Sequence, residues 1–557
     1  MMKKLQCYLW GICFLLFHFT VNAQSTTVTG TVTAASDNSA LPGVSVVVKG
    51  TTRGTATGVD GTYTISAAPT DVLVFRFIGM QTVERTVGAN AKIDVALKAD
   101  AKNLNEVVVT ALGIKQEKKA LGYAVTEVKG ATIAQTQREN FVNGLAGRVA
   151  GVEVNASSGL PGSSSSIVIR GISSLSGSNQ PLFVVDGLPI SNNTTSTGVF
   201  ASSAVGGSRS FENRGVDFTN RAADINPEDI ESITVLKGPE AAALYGIEAA
   251  SGAIVITTKR GQAGKARINY SNSFRMDRIV RYPEIQQKYD RGANGYTVDG
   301  DENISYFGAP YPSETQFYDN VKNFFQDAYT QKHNLAFTGG NESAQYRISG
   351  SYTDADGFIP HTGLDKLTLS SAITAKLNKY LSTDITFDYT RSDNDQAFRG
   401  AGGPLLQLLR WPSNDDASVY LTPSGARRDF SVFAAAADLE NPFFNVNKNT
   451  INNTNNRYIT NARLVVEPLS WLKFVGNAGF DFSSGKITMV RHPESAYGYS
   501  RGGIFDQSLD NTRNFNLQYY GEVNRSFLND KFNANLKLGS AVNAQETYTQ
   551  AVTGERF

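Results

Sequence analysis

The sequence predicts a mostly β protein with a small β-sandwich first, an α+β domain next, and about nine strands of an antiparallel transmembrane β-barrel last. Three observations predict this order. Short β-branched runs separated by turns occupy the first hundred residues, two strand-turn cassettes lie between residues 167 and 239, and apolar and polar residues alternate with a period of two from Gly264 onward. The last pattern suits long strands that have one apolar face and one polar face.

The start of the chain has the features of a secretory leader. Two lysines precede an apolar stretch over residues 7–19 and small residues follow it, so residues 1–23 are predicted to be a signal peptide. No later segment approaches the roughly 20 continuous apolar residues that a membrane helix needs. Both cysteines, Cys7 and Cys13, fall within this leader. The mature chain therefore has no thiol for a disulfide, a metal site or a nucleophile.

The composition argues against several classes of function. A formal net charge of +1 does not suit a nucleic-acid partner. After the leader the histidines are His333, His361 and His492, and no metalloprotease or serine-hydrolase motif is present, so we predict no enzyme activity, no cofactor and no metal site. Acidic clusters at residues 299–303 and 354–357 could hold calcium in outer loops, but solvated turns are the favoured interpretation.

Residues 24–100 are predicted to form the β-sandwich. The runs expected to be strands cover residues 28–33, 44–49, 63–66, 72–78 and 93–97. Turns that contain Gly separate them, and Asp60-Gly61 is one of these turns. The segment from Leu41 to Gly50, together with Gly58 to Tyr63, resembles the carboxypeptidase regulatory-like, transthyretin-type domain. That resemblance implies a non-catalytic accessory domain.

Residues 101–120 are predicted to be a linker that carries one short strand. Its β-branched run consists of Glu106, Val107, Val108, Val109 and Thr110. A strand with no obvious sheet of its own can add to the sheet edge of another protein, where main-chain hydrogen bonds provide the affinity. The alternative, that the run is the last strand of the sandwich or the first strand of the next domain, stays open.

Residues 121–262 are predicted to form the α+β domain. Its buried β-branched runs are followed by Arg170-Gly171 and by Asp186-Gly187, and the second pair is a predicted chain reversal. A third strand is expected at residues 253–259.

Two short helices are predicted within this domain. Asn226 can cap the first one, because its side chain can accept from free N–H groups and Pro227 suits the first turn. The second helix is expected to run from Glu240 to Tyr245 and to stop at Gly246.

Residues 263–557 are predicted to form the strands of the barrel. The alternating runs cover residues 268–275, 335–338, 346–352, 367–377, 381–389, 458–466, 472–482, 515–523 and 532–542. Tight turns are expected at residues 378–379 and 529–530, and long polar loops at residues 282–332, 392–456 and 485–513. In outer-membrane barrels the short turns face the periplasm and the long loops face the outside.

Taken together, these segments resemble SusC/RagA-type TonB-linked outer-membrane proteins. The plug motifs that carry the resemblance contain Arg148, Arg170, Gly171, Asp186, Gly187, Lys237, Gly238, Pro239, Tyr245 and Gly246. The resemblance implies that residues 121–262 are a plug, that Glu106 to Thr110 are the Ton box bound by TonB, and that outer-membrane lipid surrounds the strands. It also implies import of oligosaccharides or peptides, with a SusD-like surface lipoprotein as lid.

The number of strands departs from the resemblance. Plugged outer-membrane transporters close with about 22 strands, and an open sheet would leave main-chain groups unpaired in hydrocarbon. We therefore expect the chain to be the N-terminal portion of a longer protein, with an incomplete barrel. A surface adhesin or a passive porin-like barrel protein is the alternative, although neither needs a plug or a Ton-box strand.

A further hypothesis concerns how the plug is held. Arg170 ends a predicted strand, and Glu522 lies on the polar face of the run at residues 515–523. A guanidinium and a carboxylate can form two parallel hydrogen bonds, so we predict a lock between Arg170 and Glu522. The alternative is that Arg170 only caps a turn and that Glu522 faces water.

Overall fold

The structure is a computed structural model that describes residues 26–89, 91–98, 107–109, 115–117, 125–175, 178–194, 216–297, 306–400, 403–428, 440–496, 498–527 and 532–557. The described residues fall into two compact units. One is the β-sandwich, and the other contains the α+β domain and the long strands. The predicted signal peptide at residues 1–23 and the acidic cluster at residues 299–303 lie outside the described residues.

The first unit is a sandwich of two sheets. Its strands in the described residues are β1 Thr26–Ala34, β2 Ser45–Val48, β3 Gly54–Ala56, β4 Thr62–Ala67, β5 Val72–Arg76, β6 Val83–Thr86 and β7 Val95–Leu97. One sheet has the order β4-β1-β7 and the other the order β3-β2-β5-β6. Alternate residues such as Val28 and Val32 of β1 and Leu73 and Phe75 of β5 are fully buried between them. The five predicted strands are confirmed, whereas β3 and β6 have no buried alternation that a sequence pattern could reveal.

The linker contains two short strands. Strands β8 Val107–Val109 and β9 Lys115–Glu117 form a two-stranded sheet of their own. The centre of the predicted Ton box is therefore a strand, and it belongs neither to the sandwich sheets nor to the sheet of the α+β domain. Glu106 and Thr110 lie outside the described residues.

The α+β domain is built on a five-stranded sheet. Its elements are β10 Val125–Lys129, α1 Gly130–Ala134, β11 Val152–Ala156, β12 Ser165–Ile169, β13 Leu182–Val185, β14 Leu188–Ile190, β15 Ile230–Leu236, α2 Pro239–Tyr245 and β16 Ala253–Thr258, with 3-10 helices at Phe141–Leu145, Arg221–Asp224, Pro227–Asp229 and Ile247–Ala249. The sheet order is β10-β15-β16-β13-β14, and β11 and β12 form a separate hairpin. A core of buried aliphatic and aromatic residues, including Phe141 and Phe183, fills one side of this sheet.

The predicted turns and helix ends of this domain are confirmed. Asp186 and Gly187 have φ of 51° and 90°, as the tight reversal between the antiparallel strands β13 and β14 requires. The side chain of Asn226 accepts a hydrogen bond from Glu228 N at 3.2 Å and so caps the 3-10 helix that follows. Helix α2 ends at Gly246, whose φ of 79° is accessible to glycine at little cost.

Nine long strands form the second sheet in the described part of the chain. They are β17 Gly264–Asp277, β20 Ala328–Gly340, β21 Ala344–Asp356, β22 Gly363–Lys376, β23 Leu381–Gln396, β24 Thr450–Leu469, β25 Leu472–Arg491, β26 Ile504–Phe527 and β27 Phe532–Glu555. Neighbours in the chain pair antiparallel throughout, which confirms all nine predicted strands. Two very short strands, β18 Gly292–Ala293 and β19 Tyr296–Thr297, pair within the connection after β17.

The connections differ in length between the two ends of this sheet. At one end the strands are joined by residues 341–343, 377–380 and 470–471, and at the other end by residues 278–327, 357–362, 397–449 and 492–503. The long connections carry helices α3 Asn320–Phe324, α4 Pro404–Arg410 and α5 Pro442–Lys448. The turn predicted at residues 529–530 lies outside the described residues.

The prediction of a long loop at residues 485–513 is wrong in its extent. Strand β25 continues to Arg491 and β26 begins at Ile504, so only residues 492–503 connect them. The polar residues of this region were interpreted as loop, but Asp506 and Ser508 point to a buried polar face and the ladder of main-chain hydrogen bonds continues around them.

The two faces of the nine-stranded sheet are inverted relative to a soluble sheet. Along β20, Lys332 and Asn334 are buried, whereas the alternate residues Tyr329, Leu335 and Phe337 are 42%, 38% and 40% exposed. A sheet in water buries its apolar face instead, so this sheet has the face pattern of strands surrounded by lipid. None of the described helices has the length and apolarity required to cross a bilayer.

Candidate functional site

The candidate site is the interface at which the buried polar face of the nine-stranded sheet packs against the α+β domain. Both belong to the same compact unit. Hydrogen bonds and ion pairs cross this interface from most of the strands, and three arginines form its centre.

Arg457 of β24 makes the most heavily buried of these contacts. It is 1% exposed, and its Nε and Nη2 donate to Oδ1 and Oδ2 of Asp481 on β25 at 2.8 and 2.9 Å. The rest of the guanidinium reaches the α+β domain, where it donates to Asp224 Oδ2 at 3.3 Å, to Arg221 O at 2.6 Å and to Ser191 O at 3.0 Å. One side chain of the sheet therefore joins two separate segments of the domain.

A second contact holds the 3-10 helix Pro227–Asp229. Arg347 of β21 donates from Nη2 to Asp229 Oδ1 at 2.7 Å, and Ser349 Oγ donates to the same oxygen at 2.7 Å. The arginine and aspartate side chains are both 9% exposed. The helix cap Asn226 also faces the sheet, because its Nδ2 donates to Asn334 Oδ1 at 3.3 Å. Asn226 thus both caps this helix and docks it to the sheet.

A third contact centres on Asp186, in the predicted reversal between β13 and β14. Arg260 lies 3.2 Å from Asp186 Oδ2 and donates from Nε to Asp384 Oδ2 of β23 at 3.0 Å. Burial opposes the charge of Arg260, but Asp186 and Asp384 outweigh it, so the pKa of this guanidinium lies above its ordinary value. The backbone oxygen of Asp186 accepts from Asn461 Nδ2 at 2.9 Å.

Further contacts lie along the interface. Arg275 of β17 is 2.6 Å from Glu139 Oε1, and Arg399 is 3.0 Å from Asp217 Oδ2. Leu188 packs against the bare backbone of β25, because a Cβ added to Gly479 would come within 2.4 Å of Leu188 Cδ1. The domain is therefore fitted to the sheet by shape as well as by charge.

The other predicted motif residues shape turns inside the α+β domain. Lys237 N and Gly238 N both donate to Glu240 Oε1, at 3.1 and 2.8 Å, and Pro239 begins helix α2, which ends at Tyr245. These residues build one strand-to-helix turn.

Arg148 and Arg170 also contact their own domain. Arg148 Nη1 donates to Gly144 O at 2.8 Å. Arg170 and Gly171 have φ of 59° and 88°, and Arg170 N donates to Gly151 O at 2.8 Å. Arg170 is exposed at a turn after β12.

The predicted lock between Arg170 and Glu522 is not formed. Glu522 accepts from Asn535 Nδ2 at 2.7 Å and lies 3.4 Å from Lys537 Nζ. Lys537 stands opposite Glu522 in the register of β26 and β27, so the sheet itself supplies the cation. In the described residues no hydrogen bond or ion pair joins Arg170 to Glu522. The sequence reasoning missed Arg347, which lies within the predicted strand at residues 346–352, and Arg457, which directly precedes the predicted strand at residues 458–466.

The described part of the chain contains no group of three or more His, Cys, Asp or Glu side chains arranged to hold a metal ion. Asp354 and Asp356, from the second acidic cluster, lie on the exposed face of β21.

Two family models match the chain. The CarboxypepD_reg-like domain matches residues 28–109, and the TonB-dependent Receptor Plug Domain matches residues 117–253. The first covers the sandwich and the strand β8, and the second covers most of the α+β domain.

Curated relatives extend the similarity over the long strands. A TonB-dependent receptor of Formosa agariphila is 30% identical over 547 residues, which are 95% of this chain and 50% of that protein. The TonB-dependent receptor SusC of Bacteroides thetaiotaomicron is 30% identical over 546 residues, which are 94% of this chain and 48% of SusC. The chain thus spans about half the length of the curated relatives it matches.

A solved structure shows the same fold. The RagAB peptide importer in its open-open state superposes with a TM-score of 0.60 at 20% identity, over 81% of this chain and 50% of that chain. Over nearly its whole length the chain is therefore similar to SusC and other TonB-dependent receptors, which are outer-membrane proteins.

Proposed function

We propose that the chain takes part in TonB-dependent import of a nutrient across the outer membrane. The observation that carries this proposal is the set of buried ion pairs between the α+β domain and the polar face of the sheet. A domain held by Arg347 and Arg457 against the inner face of a lipid-facing sheet has the place of a plug. A passive porin needs no such domain.

The proposed mechanism is mechanical. The plug fills the lumen until TonB adds a strand to the Ton box, for which we propose Glu106, Val107, Val108, Val109 and Thr110. Main-chain hydrogen bonds of an added strand would carry the pulling force, so the backbone matters more than the side chains. Strand β8 supports this role because its residues already have extended backbone and pair only with the short strand β9 among the described residues.

We propose oligosaccharides or peptides as the imported molecules and a SusD-like surface lipoprotein as partner. The structurally similar RagAB is a peptide importer, which supports a peptide. An oligosaccharide is supported by the resemblance of the sequence motifs to the SusC/RagA family.

Import also requires a closed wall. The first and last strands of the sheet, β17 and β27, do not pair with each other among the described residues. Each unpaired main-chain group in hydrocarbon costs several kcal/mol. We therefore propose that import is an activity of a protein of the relatives' full length, in which further strands pair with these two edges.

The decisive experiment replaces one main-chain donor of the Ton box. Val108→Pro removes the N–H of residue 108 and should abolish uptake by cells that produce the full-length protein, while ligand binding to the purified protein stays unchanged. Val108→Ala keeps the donor and should retain uptake. Normal uptake by Val108→Pro would contradict the proposed role, and it would favour passive passage through the barrel.

A further inference from the structure

Two buried lysines lie side by side on the polar face of the sheet. Lys332 of β20 is 9% exposed and Lys366 of β22 is 8% exposed. Both stand opposite Thr353 of the intervening strand β21, so they occupy one row across three strands. At a strand spacing of about 4.8 Å their Cα atoms are roughly 10 Å apart. Lysine side chains are long enough for both ammonium groups to reach the space between them.

Neither ammonium group has a carboxylate partner among the described residues. Lys366 Nζ donates to Ala223 O of the plug at 2.7 Å, and this carbonyl is neutral. Lys332 Nζ makes no hydrogen bond or ion pair with any residue that the structure describes. A buried charge without a partner is costly, and removing an ammonium group from water costs several kcal/mol.

The nearby carboxylates are committed elsewhere or lie too far away. Glu139 is bound by Arg275 at 2.6 Å, and Asp229 by Arg347 at 2.7 Å. Glu228 attracts Lys332 electrostatically, but the ion pairs of the described residues do not include this pair. The positive charge of the row is therefore not compensated by direct contacts within the described part of the protein.

A small cavity lies between the two lysines. It has a volume of about 20 Å³, and its lining includes Lys332, Lys366, Thr353, Ser273 and Thr330, together with Arg138 and the paired side chains of Arg275 and Glu139. That volume accommodates one or two particles of the size of a water molecule. The lining offers two ammonium groups and the hydroxyl groups of Thr330 and Thr353 as hydrogen-bond donors, whereas Ser273 Oγ already donates to Gln137 Oε1 at 2.8 Å. Arg275 neutralises Glu139, so the lining keeps a positive charge, which suits an anion.

We propose that this cavity binds a monoatomic anion of the size of chloride between Lys332 and Lys366. The charge of the lining selects an anion, and the volume excludes phosphate and organic carboxylates. Gln137 and Asn226 of the plug also line the cavity. A bound anion therefore joins the plug to the sheet. Among the described residues, neither Lys332 nor Lys366 takes part in a direct ion pair at this place.

Bromide is the probe for this site, because it resembles chloride and scatters X-rays anomalously. Crystals of the intact protein soaked in sodium bromide should show an anomalous peak within hydrogen-bonding distance of Lys332 Nζ. The peak should be lost in Lys332→Met. It should persist in Lys486→Met, which removes a lysine from the exposed face of β25.

A solution measurement keeps the proposal testable if the Lys332 variant does not crystallise. At constant ionic strength, replacing gluconate by chloride should raise the unfolding temperature of the detergent-purified protein, and Lys332→Met should abolish that rise. Two crystallographic results would overturn the proposal: no bromide peak with Lys332 in contact with Glu228, or a peak that survives in Lys332→Met. The absence of any effect of chloride on the unfolding temperature of the unmodified protein would also overturn it.

Discussion

At the scale of single residues, the ion pairs of Arg347 and Arg457 have the reverse of the predicted arrangement, whereas the pair of Arg260 with Asp384 has the predicted one. The sequence hypothesis put the guanidinium on the plug and the carboxylate on the wall, but Arg347 and Arg457 belong to the wall and Asp224 and Asp229 to the plug. Partners such as Asp224 and Arg457 are 233 positions apart. Which residues meet over such a distance depends on how the plug sits against the strands, and no local pattern encodes that.

Removal of the Arg457 side chain tests the importance of this cluster. Arg457→Met leaves Asp481 buried without its cation, while Asp224 keeps only Arg221 at 3.5 Å, so the free energy of unfolding should fall by about 3–5 kcal/mol. Denaturant unfolding of the purified protein in detergent measures the change.

A matched control is available on the same sheet. Arg391 is 55% exposed and pairs with Asp393 at 2.9 Å, so Arg391→Met should leave the free energy of unfolding nearly unchanged. Equal losses in the Arg457 and Arg391 variants would show that burial of the cluster contributes nothing.

At the scale of elements, alternation of apolar and polar residues was sufficient to find all nine long strands. It did not find their full length, because the first half of β26 carries Asp, Asn, Ser and Gln on both faces, and the end of β25 buries the apolar residues Ile487 and Met489 on the face that is polar elsewhere. The helix starts at Pro227 and Pro239 were predicted from capping chemistry, which is local. The packing of the long connections was not predicted, because it depends on contacts between distant segments.

One of these contacts makes the stability of the long connections depend on pH. Glu440 is 1% exposed, and its Oε2 accepts from Ser495 Oγ at 3.1 Å and from Ala496 N at 2.5 Å. Arg427 N donates to Glu494 Oε2 at 2.8 Å, so the connections at residues 397–449 and 492–503 meet here. Burial raises the pKa of Glu440 from 4.5 to about 7, although Arg427 opposes the shift.

The sign of the effect follows from the raised pKa. The folded connections bind the proton more tightly than the unfolded chain, so the stabilisation is complete below pH 4.5 and is lost as the pH rises through about 7. Its size is on the order of 3 kcal/mol. After correction for the intrinsic effect of pH on exchange, the amides of residues 492–496 should therefore exchange more slowly at pH 5 than at pH 8.

The Glu440→Gln variant should exchange at the same rate at both pH values, after correction for the intrinsic effect of pH on exchange. A pH dependence that persists in this variant would assign the effect to another group, of which His492 and Glu494 are the nearest along the chain.

At the scale of the whole molecule, the exposed apolar face of the wall determines where the protein is stable. Ile385 of β23 is 42% exposed on this face. Ile385→Lys would place a charge in hydrocarbon and should make folding into lipid vesicles less favourable by about 2–4 kcal/mol.

The sandwich provides the control for this prediction. Val59 is 93% exposed, and Val59→Lys should change stability by less than about 0.5 kcal/mol because that side chain is in water. If Ile385→Lys were as neutral as Val59→Lys, the exposed face of the sheet would not be in contact with lipid.

The alternating design of the long strands has a consequence for how the protein reaches its membrane. Along β20, polar side chains such as Lys332 and Asn334 interrupt the apolar ones, so the unfolded strand is not uniformly apolar. A secretion channel that releases apolar helices laterally into the inner membrane would let such a strand pass through. The apolar surface comes into existence only when neighbouring strands align, which happens after export, at the membrane where that surface is needed.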